Sequence, residues 1–261
     1  MNKKASVTYV NELEEKIVDL SLKLNKAKNE LTSVYQGNTK LMSKLAHNLK
    51  NPIGLIFSFS DIILEDVQNG STEKLEQHVK IIKNSAGYSL ELLNSVAKLV
   101  QLQSVQTLNF SEKNYIDVLN NVISNLTELA NAKNIKIVKN FSKEDLYIKI
   151  NEAEISKAIE NIINNAIRFS NQNTAITITV SENENMVETI IEDEGIGISE
   201  ENIPNILNEF YVENTYSPDK QKCIGLGLAI ANRVIQQHKG KISIKSIKGE
   251  GSSFIITLPK N

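Results

Sequence analysis

SKLAHNLKNPIGL, residues 43–55, places a single histidine, His47, on a stretch that reads as helix. Asn51 stands one turn further on and Pro52 follows it. A proline inside a helix removes the bond to the carbonyl four residues back, here that of Asn48, and bends the backbone. The distortion therefore falls within a turn of His47. A histidine on an exposed helix face reads as a side chain presented for chemistry rather than for packing.

Upstream, Val10, Leu13, Ile17, Leu20, Leu24, Ala27, Leu31 and Val34 alternate spacings of three and four. Leu41 and Leu45 continue the frame, with Asn38 at an a position, where a buried asparagine fixes register and a two-stranded state. A heptad held this long predicts a coiled coil. The same spacing would serve one long amphipathic helix, but no other N-terminal segment is available to receive the seam. Gly37 is a weak point in that helix.

Downstream, VQNGST (67–72) reads as a turn, and Ser71 or Thr72 can cap a second helix. Leu75, Val79, Ile82, Ala86, Leu90, Leu93, Ala97 and Val100 give that helix its apolar stripe. Two helices and a short loop make an antiparallel hairpin. A hairpin alone buries one stripe, so two copies closing a four-helix bundle are the expected assembly.

Bulk properties set bounds on this reading. A chain of 261 residues holds one or two domains. Its 29 basic and 31 acidic residues, net −2, give no reason to expect nucleic acid or an anionic membrane as partner. One cysteine, Cys223, excludes an intramolecular disulfide and a multi-cysteine metal cluster. No apolar run approaches the ~20 residues of a membrane span or forms a signal peptide. A cytoplasmic location is expected.

Residues 103–114 lose periodicity and read as a linker. Beyond them the texture is mixed: helices over about 115–132, 152–169 and 226–240, a short helix over about 200–208, and six strands. The strands are expected at 135–141, 146–150, 175–180, 186–193, 241–247 and 253–258. Strands with helices kept to one side predict an α+β two-layer sandwich.

Four short stretches of this second half carry residues suited to a nucleotide. Asn161 and Asn165, in NIINNAIRFS (161–170), share a helix face. Their amide oxygens suit a hard cation such as Mg²⁺, and Arg168 follows on the next turn. DEGIGI (193–198) puts an acid at a strand end beside two glycines that admit close backbone approach. GLGLA (225–229) opens a helix with glycines, where free N–H groups favour phosphate. GEGSSF (249–254) reads by itself as a hairpin turn. The polar stretch Glu209 to Ile224 is long enough to be a lid.

In this order the four stretches resemble the N, G1, G2 and G3 boxes of the histidine kinase catalytic domain, and NILNEFY (205–211) stands where that family has its phenylalanine box. The stretch around His47 resembles the family's dimerisation and phosphoacceptor hairpin. The resemblance covers roughly residues 40–258. It implies a coiled-coil signalling helix over 1–40, a dimerisation and histidine phosphotransfer hairpin over 41–104, and an ATP-binding catalytic domain over 105–261. It implies a homodimer that phosphorylates His47 from ATP and passes the phosphate to an aspartate of a response regulator receiver domain. Asn165 would hold Mg²⁺; Asn161 and Arg168 would support the phosphates, and Asp193 would read adenine. Phe169, Gly195, Gly197, Ile198, Gly225, Leu226, Gly227 and Leu228 would line the pocket.

The ATPases that share this fold carry a water-activating glutamate four residues before the Mg²⁺ asparagine; here that position is Asn161. Glu160 lies about 100° round the helix. This favours transfer to His47 over direct hydrolysis. The chain departs from the family at Asn48, where an acid normally follows the histidine, and at Cys223, which replaces the first glycine of the G2 stretch. Asparagine cannot take up a proton as a carboxylate can, so slow autophosphorylation is expected. Asn51 stands where the family often has Thr or Asn; by that resemblance it would orient water, which keeps a response-regulator phosphatase open as an alternative. An ATP-gated interaction protein without catalysis, meeting a sensor partner through the coiled coil, is another. His78 and His238 lack companions for a metal and are expected at the surface or in packing.

Overall fold

The computed structural model describes residues 25–26, 37, 39, 41–103, 109–214, 216–219 and 222–260. The expected coiled coil therefore lies almost wholly outside the described residues. The chain divides into two compact units, 1–86 and 87–261, the division falling inside the second helix of the hairpin.

In the first unit α1 runs over 41–68, unbroken through Pro52. A turn closed by Ser71 N donating to Asp66 O (2.8 Å) leads into α2, Leu75–Gln103. Met42, Ile53, Phe57, Leu64 and Val67 of α1 are all exposed, Phe57 by 70%. At about 100° per residue they fall within an arc of roughly 80°, one uncovered apolar stripe along the helix. His78 is held near the turn, its Nδ1 3.3 Å from Asp66 Oδ2 and its ring 5.3 Å from that of Phe59.

The second unit is a sandwich. Helices α3 (Tyr115–Asn131), α4 (Glu152–Phe169) and α5 (Gly227–Gln237) form one layer. Strands β2 (Lys136–Phe141), β4 (Ala175–Glu182), β5 (Met186–Asp193), β6 (Lys241–Ile247) and β7 (Gly251–Pro259) form the other. The sheet order is β2-β4-β5-β7-β6, with β2 parallel to β4 and the remaining pairs antiparallel. Strands β4, β5 and β7 alternate buried and half-exposed positions, as one covered face requires.

Two short strands, β1 (Ser111–Asn114) and β3 (Tyr147–Ile150), pair antiparallel as a separate ribbon. The stretch read as linker thus ends in a strand. The short helix expected over 200–208 is a single 3₁₀ turn, Ile203–Asn205. Pro204 lies in its first residues and has no N–H to extend a longer helix backward. The last helix ends at Gln237, before Gly240, because Lys239 turns into the left-handed region (φ 58°).

α4 positions the site, and its sequence shows how. Asn151 caps it, accepting from Glu154 N at 3.1 Å. Ile155, Ala158, Ile159, Ile162, Ile163, Ala166 and Ile167 are buried at the three-and-four spacing of one face. Each isoleucine withdrawn from water is worth about 1.5–3 kcal/mol, which fixes the rotation of the helix. Asn161, Asn165 and Arg168 are left on another face, only partly buried. His238, at the end of α5, is a packing residue: Nε2 accepts from Asn151 N (3.0 Å) and the ring meets Phe110 edge-on.

Candidate functional site

On α1, His47 and Asn51 are exposed one turn apart, Asn48 is half-buried between them, and Pro52 is buried. These three candidates belong to the first unit. The other candidates belong to the second, around one cavity of about 440 Å³. α4 contributes Asn161, Asn165, Arg168 and Phe169; the end of β5 contributes Asp193, followed by Gly197 and Ile198; the start of α5 contributes Gly225, Leu226, Gly227 and Leu228. Residues spread over 68 positions are thereby brought together.

Gly195 is the one candidate behind the wall. A Cβ there would stand 2.6 Å from Phe169 O and 2.7 Å from Asp193 Oδ1, so only glycine lets the loop pass between the end of α4 and the carboxylate. Its N–H donates to Asp193 Oδ1 at 2.9 Å. Asp193 is 9% exposed. Burial pushes its carboxyl up to about 6, against the backbone N–H groups of Gly195 and Ser252, which favour the charged form.

The 193–198 loop and the 247–252 turn are tied together. Ile198 N donates to Ser246 Oγ (2.8 Å), Ser246 Oγ donates to Gly251 O (2.7 Å), and Gly249 N donates to Ile196 O (2.8 Å). The fourth sequence stretch, a bare hairpin turn on its own signal, therefore buttresses the acid. α5 opens behind Leu226, an N-cap without a side-chain bond, which leaves first-turn N–H groups for another acceptor. Gly227 faces the Asn161 side chain.

Several lining residues carried no sequence signal. Glu91, Asn94, Ser95 and Lys98, all from α2, border the cavity. Lys98 Nζ meets Glu154 Oε1 at 2.5 Å, and Gln237 Nε2 donates to Leu102 O at 2.8 Å. Glu160, about 100° round the helix from Asn161, borders the cavity too, and Lys157 Nζ engages its carboxylate at 3.0 Å. Arg168 Nη2 donates to Lys222 O (2.6 Å), while its Nε is buried without a hydrogen-bond partner. Cys223 is half-buried, and burial holds its thiol above the ordinary value.

Comparison with known proteins converges on one group. Residues 150–261 match the family model described as histidine kinase-, DNA gyrase B- and HSP90-like ATPase. The chain is 26% identical over 229 residues to the sensor histidine kinase WalK of Bacillus subtilis, covering 86% of this chain but 37% of that protein. It is 29% identical over 255 residues to the histidine protein kinase SaeS of Staphylococcus aureus, covering 96% of this chain and 72% of the relative. Among solved structures, histidine kinase ThkA in complex with the response regulator protein TrrA is similar at 25% identity and a TM-score of 0.71. That match covers 85% of this chain and 61% of ThkA. Among the described residues no helix is long and apolar enough to cross a membrane.

Proposed function

We propose, for a chain that belongs to the two-component sensor histidine kinase family, that it binds ATP in the 87–261 unit and transfers the γ-phosphate to His47. The phosphate then passes to an aspartate of a response regulator receiver domain. The observation that carries this reading is the single cavity that gathers Asn161, Asn165, Arg168, Asp193 and Gly225–Leu228.

The residues present fit the nucleotide. The Asp193 carboxylate, buried in the cavity wall, is an acceptor for an exocyclic amino group. The buried, unpartnered Arg168 Nε is a donor suited to phosphate, in a cavity that the first turn of α5 also lines. Asn165, with Asn161 one turn before it, would hold Mg²⁺, which neutralises phosphate oxygens when bound. His47 supplies the nucleophile: an imidazole nitrogen lone pair forms the N–P bond, the bond from γ-phosphorus to the bridging oxygen breaks, and ADP leaves with that electron pair. The imidazole must then lose its remaining ring proton, and Asn48 cannot accept it.

Incubation with γ-labelled ATP and Mg²⁺ tests the reading. An acid-labile, base-stable label is expected on the protein; bound nucleotide without label would leave only an ATP-gated interaction protein. A second reading, a response-regulator phosphatase, is supported by exposed Asn51 one turn from His47. It predicts loss of label from a phosphorylated regulator. We further assign 1–40 to a coiled-coil signalling helix open to a separate sensor partner, 41–104 to the phosphotransfer hairpin, and 105–261 to the catalytic domain. The exposed stripe on α1 supports a homodimer.

Two further results are expected. Asn48→Asp restores a proton acceptor beside His47 and should raise the initial rate of labelling by about tenfold or more, given the ~10²–10⁴-fold scale of such assistance. An unchanged rate would remove Asn48 from the account. Because the Asp193 carboxyl lies at about 6, above its ordinary range, it protonates as pH falls through that value and loses acceptor character. Calorimetric affinity for ADP should weaken about tenfold from about pH 7.5 to about pH 5. Asp193→Asn should bind weakly at both and lack this slope.

A further inference from the structure

Lys133 lies in the turn after α3 and lines no part of the cavity, yet its side chain is only 12% exposed. Its Nζ donates to Ile167 O (3.0 Å), Arg168 O (3.3 Å) and Ser170 O (2.9 Å). These are C-terminal carbonyls of α4 and the residue after it, where a cation also meets the negative end of the helix dipole. The same Nζ is 2.8 Å from Asp219 Oδ2. Asp219 belongs to the segment between the 3₁₀ turn and α5, in which Tyr216 and Lys222 form an isolated antiparallel bridge.

That loop has two more ties. Arg168 Nη2 donates to Lys222 O at 2.6 Å, and Lys222 Nζ stands 4.6 Å from the centre of the Tyr88 ring. The Lys133 and Arg168 ties both reach the last turn of α4, the helix that presents Asn161 and Asn165 to the cavity. The loop continues through Cys223 to Gly225, which line it.

An ammonium has three protons, and Lys133 has four acceptors in reach. With Asp219 gone, three carbonyls remain for three protons. Lys133 therefore stays satisfied whether the loop is docked or released. A buried cation with no other partner would resist release, because an unpaired buried charge is costly.

We propose that Lys133 is a positioning residue that, by holding Asp219, latches the chain ahead of the cavity-lining Cys223, Ile224 and Gly225, and so sets how long nucleotide stays bound. This rests on the ATP reading above. Asp219 is 41% exposed, so the latch is weak and reversible. On the scale of a partly exposed ion pair, its loss should speed release by about threefold.

Four variants of the full chain test this: Asp219→Asn, Lys133→Met, Lys133→Arg and the Asp219→Asn/Lys133→Met double. Release of a fluorescent ATP analogue and hydrogen exchange in 209–224 are read for each, together with the melting temperature. Asp219→Asn is expected to speed release about threefold and raise loop exchange without moving the melting temperature. Lys133→Met should do the same to the loop and also lower the melting temperature, since the α4 carbonyls lose their cap. Lys133→Arg should restore both, and the double should match Lys133→Met in loop exchange and release. Wild-type exchange and release in Asp219→Asn, or full additivity in the double, would overturn the latch. If the wild type binds no nucleotide, the ATP reading fails, and loop exchange still decides whether Lys133 and Asp219 are coupled.

Discussion

His47→Gln should take up no label from γ-labelled ATP, while nucleotide affinity and melting temperature stay at their wild-type values. Glutamine keeps polarity and a similar reach, but its amide nitrogen has no lone pair free to attack phosphorus. His47 is exposed on α1, and exposed substitutions of this kind lie within about ±0.5 kcal/mol. The fold therefore has no stake in the imidazole. The cavity is lined by residues from Glu91 onward, so binding has none either. Label retained on the variant, with the same acid lability, would move the phosphoacceptor elsewhere. Loss of both label and affinity would mean that the substitution had damaged more than a nucleophile.

Gly251→Ala should be the most damaging single methyl in the catalytic half. Gly251 opens β7 at φ 118°, a region closed to residues with a Cβ at a cost of about 1–3 kcal/mol. An added Cβ would also lie 2.0 Å from Asp193 O, a contact that backbone must move to relieve. The strand register pairs Asp193 with Ser252, so the movement displaces the acid from its two N–H partners. We expect a loss of about 3–5 kcal/mol by denaturant titration and at least tenfold weaker nucleotide binding. Gly249→Ala separates the two causes. Its φ is 88° but no atom lies within 4 Å of the added Cβ, so it carries backbone strain without crowding. It should cost about 1 kcal/mol and leave binding near wild type. Equal losses in the two variants would show that dihedral strain alone decides.

Those glycines illustrate what a sequence carries and what it does not. The periodicity of α4 shows in its isoleucines, and Asn161, Asn165 and Arg168 follow as its other face. Asp193 and the glycines after it were legible as a strand end, and Gly225–Leu228 as the opening of a helix. Gly251 was legible only as a turn residue, because what it meets is a backbone carbonyl 58 positions earlier. β1 was missed for a similar reason: SEKN is polar and four residues long, and only pairing with β3 makes it a strand. Lys133 left no trace, since three of its four partners are carbonyls and every residue has one. The α2 residues beside the cavity have ordinary helix-surface character until the sandwich is placed against them.

The uncovered stripe from Met42 to Val67 has a consequence for how the molecule comes apart. With the proposed second copy covering it, the unfolding of the hairpin changes molecularity: one folded pair yields two chains. Each tenfold dilution then lowers the free energy of the pair by about 1.4 kcal/mol. The sandwich buries its own core and has no such dependence. Dilution should therefore pull apart two transitions that overlap in concentrated protein, the helical one sliding to lower temperature while the other holds still.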